Sequence, residues 1–174
     1  MPPDGVRTPR LRGERPRREH AASYAELFGD AEVAATLWPA HLGGPRTPEQ
    51  AAALLAEDLD HWDAAGFGPW AFSELAGDRF AGRAGLERTT VGGRPSVEVL
   101  YAVRREAWGR GYASEMAHAA VDRARALGLP EVVGFTLTTN LASQRVLEKA
   151  GLRFERVLEH AGLPHWFGRL PLDR

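Results

Sequence analysis

At 174 residues, with 22 basic against 23 acidic side chains, the chain is long enough for one well-buried α/β domain and too short for two of typical size. Its balanced charge argues against nucleic acid or an anionic membrane as partner. The absence of cysteine removes disulfides, thiolate metal sites and a cysteine nucleophile together.

Residues 1–9 carry Pro, Gly and charge without periodicity and read as a flexible arm, with residues 10–174 as a single domain. The arm lacks the apolar core of a signal peptide, and no apolar run approaches the roughly 18 residues of a membrane span, so a cytoplasmic protein is expected. A short strand is predicted from Arg10 to Arg15. Ala21, Tyr24, Leu27 and Phe28 predict a helix ending near Gly29, and Asp30 is placed to N-cap a second one that Trp38-Pro39 ends. Residues 40–46 read as a loop. Thr47-Pro48-Glu49-Gln50 is a helix start, with an N-cap threonine, proline at the first helical position and a glutamine placed for a capping box; the helix should run to about Ala64.

Trp70 to Leu75 alternates as a strand does, and Gly77-Asp78 turns it into a second strand from Arg79 to Glu87. After a turn over Val91 to Pro95, the β-branched and aromatic run from Val97 to Val103 is a third. Trp108-Gly109-Arg110-Gly111-Tyr112-Ala113-Ser114 then leads into an amphipathic helix stopped by Gly128. Further on come a strand over Glu131 to Leu137, a short helix over Asn140 to Ala150, and candidate last strands at Phe154 to Glu159 and His165 to Leu170, joined by a loop with Gly162 and Pro164. The order is an antiparallel meander, a strand-helix-strand unit, then a helix and a hairpin. The expected fold class is α/β (α+β), a mixed, largely antiparallel twisted sheet of about six to seven strands flanked by helices.

The glycine-rich stretch is the most informative. Small residues at a helix start expose N–H groups that have no intrahelical partner, at the positive end of the macrodipole, which favours a phosphate. A tight turn that binds nothing would use the same residues. Glu98 interrupts an otherwise apolar strand just before this loop. It is either a carboxylate poised as a base or a residue facing solvent or paired with an arginine, and Glu87 is the reserve candidate. Asn140 is either an ordinary helix N-cap or a side chain that both donates and accepts toward a ligand. The histidines, with His160 and His165 five apart and no His-Glu-x-x-His pattern, make no metal site.

Three stretches resemble the GNAT N-acetyltransferase superfamily, most closely its ribosomal-protein N-terminal acetyltransferase-like branch. They are Thr8-Pro9-Arg10-Leu11 with residues 25–33, the loop from Trp108 to Glu115, and Thr139-Asn140-Leu141-Ala142-Ser143 through Leu152. The resemblance covers roughly residues 7 to 170 and implies the GNAT acyl-CoA N-acyltransferase fold. It further implies acetyl-CoA as co-substrate, with no metal, and transfer of its acetyl group to a primary amine on a protein N-terminus or a small molecule. The pyrophosphate would lie on Trp108, Gly109, Arg110, Gly111, Tyr112, Ala113 and Ser114, with Arg110 adding charge at the rim. The pantetheine arm would lie along Tyr101, Ala102 and Val103 and reach Asn140 and Ser143.

Glu98 would be the general base. Many members place a tyrosine acid seven residues after the asparagine; here that position is Leu147, so the proton-donating role passes to Ser143. A non-catalytic acyl-CoA-binding module is the rival reading. A nucleotide triphosphate binder is weaker, since no Gly-Lys-Ser/Thr follows the loop. No nucleic acid or membrane partner is expected, and a homodimer stays open.

Overall fold

The computed structural model describes residues 4–172. One mixed sheet of eight strands forms its centre: β1 (Val6–Arg7), β2 (Leu11–Glu14), β3 (Pro69–Glu74), β4 (Phe80–Val91), β5 (Arg94–Val103), β6 (Glu131–Leu137), β7 (Arg153–His160) and β8 (Leu163–Pro171). Their order across the sheet is β1-β2-β3-β4-β5-β6-β8-β7. Every neighbouring pair is antiparallel except β5 and β6. Five helices cover the faces: α1 (Ala21–Gly29), α2 (Ala31–Leu37), α3 (Pro48–Ala65), α4 (Tyr112–Ala126) and α5 (Leu141–Lys149).

The strand count exceeds the expected six to seven because part of the supposed arm is paired. Val6 and Arg7 lie opposite Gly13 and Arg12, a two-residue pairing that no local pattern announces. Two more residues of the supposed arm are held: Thr8 donates to Glu115 at 2.5 Å, and the Asp4 carbonyl accepts from the Trp70 indole at 2.8 Å. Residues 1–3 and 173–174 lie outside the described part. Elsewhere, β4 runs four residues beyond Glu87 to meet β5 across a Gly92-Gly93 turn. Pro164 is inside β8 rather than in the loop before it, opposite Glu159 of β7; its carbonyl accepts from the Thr138 N–H at 3.2 Å, so its missing N–H falls just past Leu137, where the β6 ladder ends.

Local signals placed the helices. Asp30 accepts from the N–H groups of Glu32 and Val33 to cap α2. Thr47 and Gln50 close the reciprocal capping box of α3, which ends on Gly66 in a left-handed conformation. The core is split by the sheet. Helix α4 buries Met116, Ala117, Ala120, Val121 and Ala124 against Val99 and Val103, whereas α1 and α3 bury Tyr24, Leu27, Phe28 and Leu55 against the opposite face at Ala102.

Candidate active site

The site originates where β5 and β6 separate. These parallel strands are in register only at Glu98 and Val133. On its other side β5 stays paired with β4 through to Val103. Backbone groups in an antiparallel pair point alternately toward and away from the partner. The Arg104 N–H to Ala81 carbonyl bond, at 3.0 Å, fixes the phase of that alternation. Val97, Val99, Tyr101 and Val103 therefore turn their N–H and C=O groups toward β6. Val97 and Val99 meet Val133 there. Beyond them the strands have parted, so the N–H and C=O of Tyr101 and the N–H of Val103 face an open cleft. The backbone of Ala102 points to β4 and its side chain is buried beneath α1 and α3, so Ala102 cannot offer the contact expected of it.

Both connections at the wide end of this cleft supply functional groups, as expected where adjacent parallel strands diverge in an α/β sheet. In the first, Gly109 (φ 74°) and Gly111 (φ 79°) adopt left-handed backbone that side chains disfavour. Gly111 N-caps α4 without a side-chain cap, and Glu115 is the first residue of the helix to reach a carbonyl, that of Gly111 at 3.1 Å. The amides of Tyr112, Ala113 and Ser114 thus start the helix without intrahelical acceptors, which is the arrangement that binds an anion.

The arm braces this turn. Glu115 accepts from Thr8 Oγ1, from the Arg10 N–H at 2.9 Å and from Arg10 Nε at 2.7 Å. Burial alone would raise its carboxyl, but these bonds hold it below the ordinary glutamate value. Arg10 and Arg110 both stack over the Tyr112 ring, at 4.8 and 4.6 Å. Arg110 was expected as a free cation at the rim; it is instead paired with Glu74 at 2.8 Å, because the β3 carboxylate is within reach of its long side chain. The Trp108 indole N–H donates to the Val103 carbonyl at 2.8 Å, satisfying the last outward carbonyl of β5.

In the second connection, Asn140 Oδ1 accepts from the Ser143 N–H at 3.1 Å and caps α5. The capping reading therefore holds for its oxygen. Ser143 Oγ lies 2.7 Å from the Tyr101 hydroxyl, which is also 2.8 Å from the Ser143 carbonyl. Burial pushes the Tyr101 phenol above its ordinary value, keeping it protonated. From the sequence only the backbone of Tyr101 is expected at the cleft. Its side chain was missed because its partner lies 42 positions away, although a lone tyrosine in a strand bordering the cleft was a signal. Leu147 is buried against Gly134, as an ordinary core residue.

Glu98 lies on the opposite face of β5 from Tyr101, since successive strand residues alternate. It is half-buried at the vertex of the cleft and directly opposite Glu87. Among the described residues it forms no ion pair within 4.0 Å, so the arginine-paired alternative does not describe it. Burial first, and Glu87 second, push its carboxyl up to about 8, with Arg83 acting in the other direction. Glu98 and Ser143 thus approach the cleft from opposite faces of β5.

Other aromatic side chains belong to the packing around the sheet. Trp62 and Trp70 are core residues whose indoles donate to Pro69 O and Asp4 O. Trp38 packs at a tilt against Phe28, with the Arg46 guanidinium over its ring. His160 and His165 pack edge-on at 5.3 Å beside Phe135.

This fold and site define an acyltransferase built around a split parallel strand pair. Residues 10–153 match the family model for the acetyltransferase (GNAT) domain, and the chain belongs to that family. Among solved structures, an acetyltransferase from Agrobacterium tumefaciens is 22% identical, with a TM-score of 0.80 over 95% of this chain and 93% of that one. The ribosomal-protein-S5-alanine acetyltransferase of Vibrio fischeri is 15% identical, with a TM-score of 0.76 over 97% of each. RimL, a ribosomal L7/L12 α-N-protein acetyltransferase solved with coenzyme A, is 15% identical, with a TM-score of 0.76 over 97% of this chain and 98% of that one. At these identities the likeness concerns the fold.

Proposed function

We propose that the protein transfers the acetyl group of acetyl-CoA to a primary amine by direct attack, with Glu98 as general base and Ser143, coupled to Tyr101, as proton donor. The observation that carries this reading is the coincidence at one cleft of an anion-binding helix start, an unpaired strand edge and a carboxyl whose environment strengthens it as a base. The coenzyme A complex of the structurally similar RimL supports the same assignment of the cleft.

The residues present fit coenzyme A. The amides of Tyr112 to Ser114, in the loop from Trp108, suit its pyrophosphate, and the free edge at Tyr101 and Val103 suits the amides of its pantetheine arm as an added strand. The amide nitrogen of Asn140, not used by the cap, is available to that arm. Acetyl-CoA supplies the activated acyl group.

The chain supplies the rest. An ammonium must lose a proton before it can attack, and Glu98 accepts it on the face of β5 turned toward α1 and α3. A positioned base of this kind contributes about 10²–10⁴-fold. The Tyr101 N–H, already directed into the cleft, suits a carbonyl oxygen that gains negative charge. On the opposite face the paired hydroxyls of Ser143 and Tyr101 hold a proton for the departing thiolate. Tyr101 replaces, from β5, the donor that Leu147 cannot be.

Acceptors are protein N-termini or small-molecule amines. Nucleic acid and membrane have no part in the reading, which places the protein in the cytoplasm; no helix among the described residues is long and apolar enough to cross a membrane. Thiol release from acetyl-CoA with a panel of amines, for wild type and Glu98→Gln, tests the proposal. Coenzyme A binding without acceptor-dependent release would favour the non-catalytic module.

A further inference from the structure

Behind Glu98 lies a buried ion pair that the reaction does not use. Asp58, on α3, is fully buried. Its carboxylate accepts from Arg83 Nε at 2.7 Å, from Arg83 Nη2, and from the Tyr24 hydroxyl at 2.7 Å. Arg83 is on β4, two pleat repeats from Glu87 on the same face, with Nη2 4.0 Å from the Glu87 carboxylate. Glu87 in turn lies directly across from Glu98, a register that brings paired Cβ atoms to about 5 Å. The guanidinium nearest two half-buried carboxyl groups is therefore forked onto a third carboxylate instead.

Stability alone gives little reason for this arrangement, because a buried ion pair is commonly matched or bettered by apolar residues of similar volume. Charge gives a reason. A guanidinium free to turn onto Glu87 and Glu98 would hold both ionised and make Glu98 a weaker base, an opposite charge within ~4–6 Å lowering a carboxyl by about 1–3 pH units.

We propose that Asp58 and Arg83 are positioning residues for the base, with Asp58 claiming the guanidinium so that Glu98 faces the carboxyl of Glu87 rather than a cation. The inference rests on Glu98 as the base. The charged and titratable groups around the pair are Arg83 and Glu87 from β4, Asp58, His61 and Glu57 from α3, and Tyr24 from α1. His61 has both ring nitrogens engaged, Nδ1 by the Phe67 carbonyl at 2.8 Å and Nε2 by the Arg88 N–H at 2.9 Å. From β6 the neighbour is the uncharged Val133.

The test is a ¹³C NMR titration of the Glu98 side-chain carboxyl in the full-length protein labelled with ¹³C-glutamate, assigned by its loss in Glu98→Gln. Asp58→Asn exposes Glu98 to the uncompensated guanidinium and should move its titration about 1–3 pH units downward. Glu87→Gln should also move it downward. Asp58→Leu combined with Arg83→Met, which removes both charges, should leave it at or above the wild-type position. The acid limb of kcat/KM for the amine should follow each displacement, with KM for acetyl-CoA steady.

An unmoved Glu98 titration in Asp58→Asn overturns the proposal. Should that variant not fold, an unmoved titration in Glu87→Gln, or a downward shift in the double variant, does the same. Failure of the base reading is a separate result: Glu98→Gln would retain turnover while the titrations still reported the charge coupling.

Discussion

Glu98→Gln should make the protein more stable in alkali and nearly inactive. The ordinary glutamate value is 4.5 and the Glu98 carboxyl is pushed up to about 8. Between these values the folded protein holds a proton that the unfolded chain releases, so stability falls as pH rises through the window and is flat above it. Full ionisation would cost roughly 5 kcal/mol by this difference, reduced to about 2–4 kcal/mol because solvent reaches part of the side chain. Glutamine cannot ionise and escapes the loss. Urea unfolding followed by fluorescence of the five tryptophans should find the variant close to wild type at pH 4 and about 2–4 kcal/mol more stable at pH 9. Thiol release should fall by about 10²–10⁴-fold, and the rise of wild-type kcat/KM toward a plateau above about pH 8 should vanish. A stability difference that does not change between pH 4 and 9, together with an unaltered pH–rate profile, would show that Glu98 is neither held protonated by burial nor the base.

Three further outcomes are expected. Ser143→Ala and Tyr101→Phe should each lower kcat, with the double variant little worse than either, because the hydroxyls act as one unit; additive losses in steady-state rates would contradict the coupling. Gly111→Ala should destabilise the fold by about 1–2 kcal/mol through its left-handed backbone and weaken coenzyme A binding measured by calorimetry, although its Cβ would meet only Arg10 Nη2 at 3.4 Å. Thr47→Ala should cost about 1 kcal/mol in urea unfolding and leave turnover unchanged, since the α3 cap is remote from the cleft in sequence and serves only the helix start.

What could be read beforehand was what local chemistry dictates. Thr47, Gln50 and Asp30 announced their helices because a cap is decided within four residues. Gly109 and Gly111 announced the loop because only glycine takes that backbone cheaply. Glu98 stood out as a charge in an apolar run. The separation of β5 from β6 left no such mark, being a property of two strands whose paired residues, Glu98 and Val133, are 35 positions apart. The contact of Tyr101 with Ser143 and the fork of Arg83 onto Asp58 were hidden for the same reason. Asp58 in particular sits in a helix rich in acids, where a charge ordinarily suggests a solvated face. Arg110 illustrates the converse, a cation suited to a phosphate by its position but taken by Glu74.

The most direct test of the account is acetyl-CoA turnover against a panel of primary amines spanning peptide N-termini and small molecules, with thiol release measured and the product identified by mass spectrometry. Acceptor-dependent release of coenzyme A, matched one for one by an N-acetylated amine, is expected from the wild type and should collapse in Glu98→Gln. Saturable acetyl-CoA binding with no acceptor-dependent release from any amine would contradict it.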